Sequence, residues 1–240
     1  MAEQLYTIPV HDAFAADCEC PLCLMWRDLE QSAIEFTMGP SYMEDDNRAV
    51  TDKLGFCPEH LRKLYANKNR LGLALMLKTH TDKTIADMEK LAEKGPAAKS
   101  GFLSRKSDGD APLISYIKEL EKSCFVCERV DRIFERYIGT IFHMWKKEPE
   151  FKEMIKDCKG FCTHHYGMLY EAAASELGSK QEDFISLLNE VYFAGMKRVN
   201  EDISWFIDKF DYRNQDAPWK NSKDALPRGI IKTGHTMVET

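Results

Sequence analysis

The chain has no stretch that alternates apolar and polar residues with the period of two expected of a strand, and Glu, Lys, Leu, Ala and Met outweigh Val, Ile and Thr. That absence excludes a β-rich architecture and predicts an all-α fold. Glycine and proline are also scarce, at 13 and 9 of 240 residues, so few positions can interrupt a helix. Long apolar runs are missing. The longest patch, Leu71 to Leu77, lies between Arg70 and Lys78 and is far short of the roughly 18 residues needed to span a bilayer. Positive charge is not in surplus. With 33 Lys and Arg against 39 Asp and Glu the net charge is −6, which gives no general basic footprint for nucleic acid. The first ten residues lack a basic segment followed by an apolar run, so no signal peptide is expected and the reading is cytoplasmic, with no membrane association.

Against this plain background stand eight cysteines and seven histidines. Cys20-Pro21-Leu22-Cys23 is followed by Gly55-Phe56-Cys57-Pro58-Glu59-His60. Cys124-Phe125-Val126-Cys127 is followed by Gly160-Phe161-Cys162-Thr163-His164-His165. The separation is 37 residues from Cys20 to Cys57 and 38 from Cys124 to Cys162, which reads as an internal duplication. A C-x2-C or C-x2-H pair entering a helix places both side chains within one turn, so that both can reach one ion. Taken copy by copy, Cys20, Cys23, Cys57 and His60 would form one site, and Cys124, Cys127, Cys162 and His165 the other. Three thiolates and one imidazole complete a tetrahedral Zn2+ shell, so two structural zinc ions per chain are expected. A [4Fe-4S] cluster in each copy is the alternative, since thiolate also suits iron–sulfur. A thioredoxin-like use of the C-x2-C pairs would need a βαβ pattern that is absent, and a disulfide framework would leave the histidines unexplained. Orphan N–H groups and the positive dipole end at each helix start favour thiolate there.

Cys18 and Cys158 each precede a ligand pair by a few residues. They read either as ordinary thiols or as spare, redox-sensitive ligands. His165 is preferred to His164 because it keeps the spacing of His60. Glu44, Asp45 and Asp46 read as an acidic helix start, with a cation site as the lesser alternative.

Periodicity places the first repeat and its site in residues 1–94, a Gly- and Ser-rich linker in 95–111, the second repeat and its site in 112–210, and a polar tail with a short helix in 211–240. Ile8-Pro9-Val10 is expected to break any N-terminal helix. Ser41 with Glu44 predicts a capping box, and Phe184 to Phe210 a single apolar stripe of about seven turns. The tail, anchored by Pro218-Trp219, is expected to dock across the helices.

The paired C-x2-C and GFC-x2-H arrangement, the start Tyr6-Thr7-Ile8-Pro9-Val10 and the closing segment from Pro218 to Ile230 resemble a bacterial family of unknown function. That family is mostly seen in anaerobic Firmicutes, and its members are often labelled ABC transporter substrate-binding proteins. The resemblance covers Leu5 to about Ile231. It implies a duplicated helical metal-binding protein and supplies no activity. The transporter label sits poorly with a start that lacks a signal peptide. The second copy departs from the first at Phe125, where the first has Pro21, and at Thr163, where the first has Pro58, which suggests a looser site. The function expected is an interaction or regulatory module for an unknown protein partner. The alternatives are an iron–sulfur or redox enzyme, or a sensor that exchanges metal through thiols.

Overall fold

The computed structural model describes residues 4–93, 95 and 110–238. Most of the expected linker, 95–111, lies outside the described residues. Among those described there is no strand. The helices are α1 Gln4–Ala15, α2 Pro21–Met38, α3 Asp45–Leu54, α4 Pro58–Ala66, α5 Arg70–Ala92, α6 Pro112–Lys122, α7 Phe125–Lys147, α8 Pro149–Asp157, α9 Thr163–Leu177, α10 Gln181–Asp208 and α11 Ala225–Gly234. None is long and apolar enough to cross a membrane.

The chain forms two compact units that do not coincide with the two sequence copies. One comprises Met1–Leu29 with Ile133–Thr240, and the other Glu30–Arg132. Their boundaries fall inside α2 and α7, the helices opened by the two C-x2-C pairs. An 18-residue helix such as α2 carries the chain about 27 Å from its own first turn.

The larger unit is built on an aromatic core. Phe14 meets Phe151 edge-on at 5.0 Å, and Phe142 packs on Phe184 at 5.0 Å, while Leu22, Ile141, Phe161 and Leu188 are fully buried. Pro9 does not break α1, which continues through it because Val10, Ala13 and Phe14 seat its second half in this core. The stripe on α10 is buried from Phe184 to Val199 only. Beyond that, Ile207 and Phe210 are 63% and 74% exposed, since the tail covers a different strip of the helix. There Trp205 Nε1 donates to Pro218 O at 3.0 Å, Phe206 packs on Trp219, and Lys209 Nζ donates to the carbonyls of Asn214, Gln215 and Ala217. Pro227 sits in the first turn of α11 and does not interrupt it.

In the smaller unit α3 lies along α5. Arg48 Nη2 donates to Leu75 O at 3.1 Å and to Thr79 Oγ1 at 2.8 Å. One expectation changes here. Ser41 does not cap a helix: Pro40–Met43 forms a short 3-10 turn, Ser41 Oγ donates to Phe36 O, and Glu44 is the residue that precedes α3. Between α4 and α5 the helix is broken at Asn67 to Asn69. Asn67 Oδ1 accepts from Asn69 N, and Asn69 Oδ1 accepts from Gly72 N at 2.9 Å, which caps the new helix α5.

Candidate metal centres

The four ligand pairs are built alike. The carbonyls of Cys20, Cys57, Cys124 and Cys162 accept the first helical hydrogen bonds, from Leu24, Leu61, Glu128 and Tyr166, so each leading cysteine stands at the mouth of its helix. The second ligand follows three residues on, one turn inside. Glycine precedes both C-x2-H pairs for a shared reason. Gly55 has φ +58° and Gly160 φ +103°, and a side chain at Gly55 would collide with the His80 ring.

The eight residues gather into two clusters, and each cluster draws on both sequence copies. Cys20 and Cys23 meet Cys162 and His165 in the larger unit. Cys57 and His60 meet Cys124 and Cys127 in the smaller one. This corrects the copy-by-copy pairing of the sequence. The physical reason is α2, whose length takes the chain away from Cys20 and Cys23 before it reaches Cys57.

In the first cluster His165 Nδ1 lies 3.5 Å from Cys20 Sγ, 3.4 Å from Cys23 Sγ and 3.2 Å from Cys162 Sγ, with Cys23 and Cys162 sulfurs 3.6 Å apart. In the second His60 Nδ1 lies 3.2 Å from Cys57, 3.3 Å from Cys124 and 3.3 Å from Cys127, with Cys57 and Cys127 sulfurs 4.0 Å apart. Metal–ligand bonds of about 2.3 Å to sulfur and 2.0–2.1 Å to nitrogen, set tetrahedrally, separate sulfurs by about 3.8 Å and sulfur from nitrogen by about 3.6 Å. The donor sets therefore fit one small cation each.

Electrostatics within the clusters singles out one thiolate in each. Burial would raise Cys124, but the His60 imidazole and the main-chain N–H groups of Cys127 and Cys57 bring it down to about 6. Burial opposes charge on His60 as well, yet its bonds to Cys124 and Glu30 lift it to about 10. Burial and the neighbouring Cys124 hold Cys127 up. In the other cluster the Cys20 and Cys23 thiols hydrogen-bond Cys162 and lower it strongly, while burial pushes Cys20 up to about 12. A divalent cation displaces the shared protons, so its binding releases protons and is pH-dependent.

The surroundings differ. His60 Nε2 pairs with Glu30 Oε1 at 3.1 Å, and Glu30 in turn accepts from Lys63 at 2.7 Å. A carboxylate behind a ligating imidazole fixes its tautomer and raises its basicity. The His165 ring instead packs against Phe134 at 5.5 Å and His164 at 5.2 Å. All four side chains of that cluster are buried, whereas Cys57 and Cys127 are half-exposed.

The two departures of the second copy each make a bond. Phe125, having an N–H where the first copy has proline, donates to Gly55 O at 3.0 Å. Thr163 Oγ1 lies 3.1 Å from Tyr192 Oη and donates to Lys232 O at 3.2 Å.

Glu30, Lys63 and the buried Lys232 were not singled out from sequence. Lys63 follows His60 by one helical turn, which is a usable signal. Glu30 lies ten positions beyond Cys20 and has none. Of the other candidates, His164 stacks on His235 at 4.7 Å. Glu44, Asp45 and Asp46 do not converge, for among the described residues the groups of Cys, His, Asp and Glu placed to share an ion are the two clusters. Cys18 donates weakly to Ala13 O. Burial raises both Cys18 and Cys158, the latter to about 11, so neither is an activated thiol.

The chain belongs to a family of unknown function, DUF6062, whose pattern matches residues 1–240. No curated protein and no solved structure matches it.

Proposed function

We propose that the chain is a two-site zinc protein in which each Cys3His cluster holds one structural Zn2+, and that it acts as an interaction or regulatory module. The observation that carries this reading is the spacing of the donors, all within 4.8 Å of one another in each cluster. That suits four ligands on one ion. A [4Fe-4S] cluster binds each ligand through a different iron atom, which needs donors spread further apart. With four protein ligands no position is left for water or substrate, so the reading favours a structural over a catalytic role. Free thiols at all eight cysteines suit a reducing compartment such as the cytoplasm.

The test is metal analysis with an absorption spectrum on protein purified with and without oxygen. The expected outcome is about two zinc ions per chain and no visible band. Iron with sulfide and a broad charge-transfer band in the anaerobic preparation overturns it.

A further inference from the structure

Beside the buried cluster, and separate from it, lies a cavity of about 510 Å³. It is lined by α10, by the tail segment from Lys220 to Arg228, and by Glu19 and Lys159. Its lining carries five cations, Lys159, Arg198, Lys220, Lys223 and Arg228, against three carboxylates, Glu19, Asp202 and Asp224. The lining is thus positive by two charges in a chain whose net charge is −6. The outlying partners do not change that balance. Lys159 pairs with Asp17, and Glu19 pairs with the buried Lys232 at 3.2 Å, so one charge of each sign is added.

The arginine pairs of the lining are fixed. Arg198 Nη2 lies 2.6 Å from Glu19 Oε2, and Arg228 Nη1 lies 2.8 Å from Asp202 Oδ2. Glu19 is only 5% exposed at its side chain, and its Oε1 has no hydrogen-bond partner, being 3.9 Å from Arg228 Nη1. Arg228 Nε is likewise buried without an acceptor. Both atoms are enclosed by protein and do not open to the cavity.

The surplus charge stands at the rim. Lys220 Nζ lies 4.1 Å from the centre of the Trp205 ring and has no carboxylate among its described contacts. Its backbone is at φ +52°, a left-handed conformation uncommon outside glycine. The turn is held in that form from both sides, since Trp205 Nε1 bonds Pro218 O and Arg228 Nη2 donates to Asn221 O. Strain of this kind persists where surrounding contacts over-determine a position, and it presents Lys220 at the cavity.

We propose that this cavity binds a small dianion of the phosphate class, with Lys220 and Lys223 as the cations that engage it. A dianion neutralises the surplus of two.

Calorimetric titration of the full, metal-loaded chain at constant ionic strength tests this, with inorganic phosphate and glycerol 3-phosphate as separate probes. The expected result is saturable one-to-one binding of at least one probe, and which one binds distinguishes free phosphate from a phosphate ester. Changing Lys220→Gln and Lys223→Gln together should weaken binding about tenfold or more. The pair Lys78→Gln and Lys118→Gln, both exposed and neither lining the cavity, should leave it unchanged. Both double variants alter exposed lysines, and unchanged circular dichroism confirms that they fold. No saturable binding of either probe, or equal affinity in the two double variants, overturns the proposal.

Discussion

The cross-copy pairing makes a prediction that separates it from the copy-by-copy alternative. Alanine at Cys20 removes one buried ligand from the cluster with Cys23, Cys162 and His165, and alanine at Cys162 removes another from the same cluster. Either change should empty that site, and making both should empty nothing further. Cys20→Ala with Cys57→Ala instead strikes both clusters. Metal content after zinc loading should fall from two ions to one in Cys20→Ala/Cys162→Ala and to none in Cys20→Ala/Cys57→Ala. The energies follow the same logic. Cys20 and Cys162 are 2% and 0% exposed, so losing either strands charged or polar ligands in the interior. Removing one member of such a buried charged group costs roughly 3–5 kcal/mol. The Cys20/Cys162 double variant should therefore cost about the same 3–5 kcal/mol. The Cys20/Cys57 pair, acting on independent sites, should cost more than that, with the smaller share from Cys57 because it is only partly buried. Urea unfolding gives the energies, and cobalt substitution counts the thiolate-bound sites by absorbance. The reverse pattern, one ion retained in Cys20→Ala/Cys57→Ala and none in Cys20→Ala/Cys162→Ala, would refute the cross-copy pairing.

Further outcomes follow from the same geometry. Chelator should remove metal in two phases, the first from the cluster with half-exposed Cys57 and Cys127; simultaneous release in a stopped-flow dye assay would contradict the difference in burial. Glu30→Gln, which weakens the carboxylate behind His60, should lower metal affinity at that cluster by about 10–100-fold and leave the other unchanged, as read by chelator competition. Gly195→Ala would set a methyl 2.5 Å from Lys159 O and should cost about 1–3 kcal/mol in urea unfolding. Gly167→Ala meets nothing within 4 Å inside α9 and should stabilise by about 0.5–1 kcal/mol, so a similar loss at both sites would show that space is not the cause. Lys232→Met leaves the Glu19 and Lys159 carbonyls unserved and removes a buried partner of Glu19. It should lower stability by roughly 3–5 kcal/mol, seen as a fall in the urea midpoint without metal loss from the Cys57 cluster.

What sequence made visible was local chemistry. Ligand spacing, proline or capping residues at helix starts and the apolar stripe on α10 all act within a few turns. They predicted an all-α fold, which the described residues show. Failures came where tertiary packing outweighs a local signal. Pro9 is carried inside α1 by the burial of Val10 and Phe14, and the far end of the α10 stripe is left exposed at Ile207. Glu30 was invisible because its partner His60 is 30 positions away.

The pairing of the ligand sets was beyond reach for a deeper reason. In a duplicated chain the two C-x2-C pairs are interchangeable as partners for the two C-x2-H pairs, so spacing supports either assignment equally. Only the paths of α2 and α7 separate them, because both compact units have their boundaries inside these helices. Each unit is consequently completed by segments from both copies, and a single copy carries half of each cluster. Neither sequence copy alone contains four ligands that the fold brings together, and a fragment ending in the linker would keep two C-x2 pairs without a complete site. If each ion closes its cluster as proposed, metal binding depends on both copies being present, and the duplication is a condition of each site rather than a repetition of it.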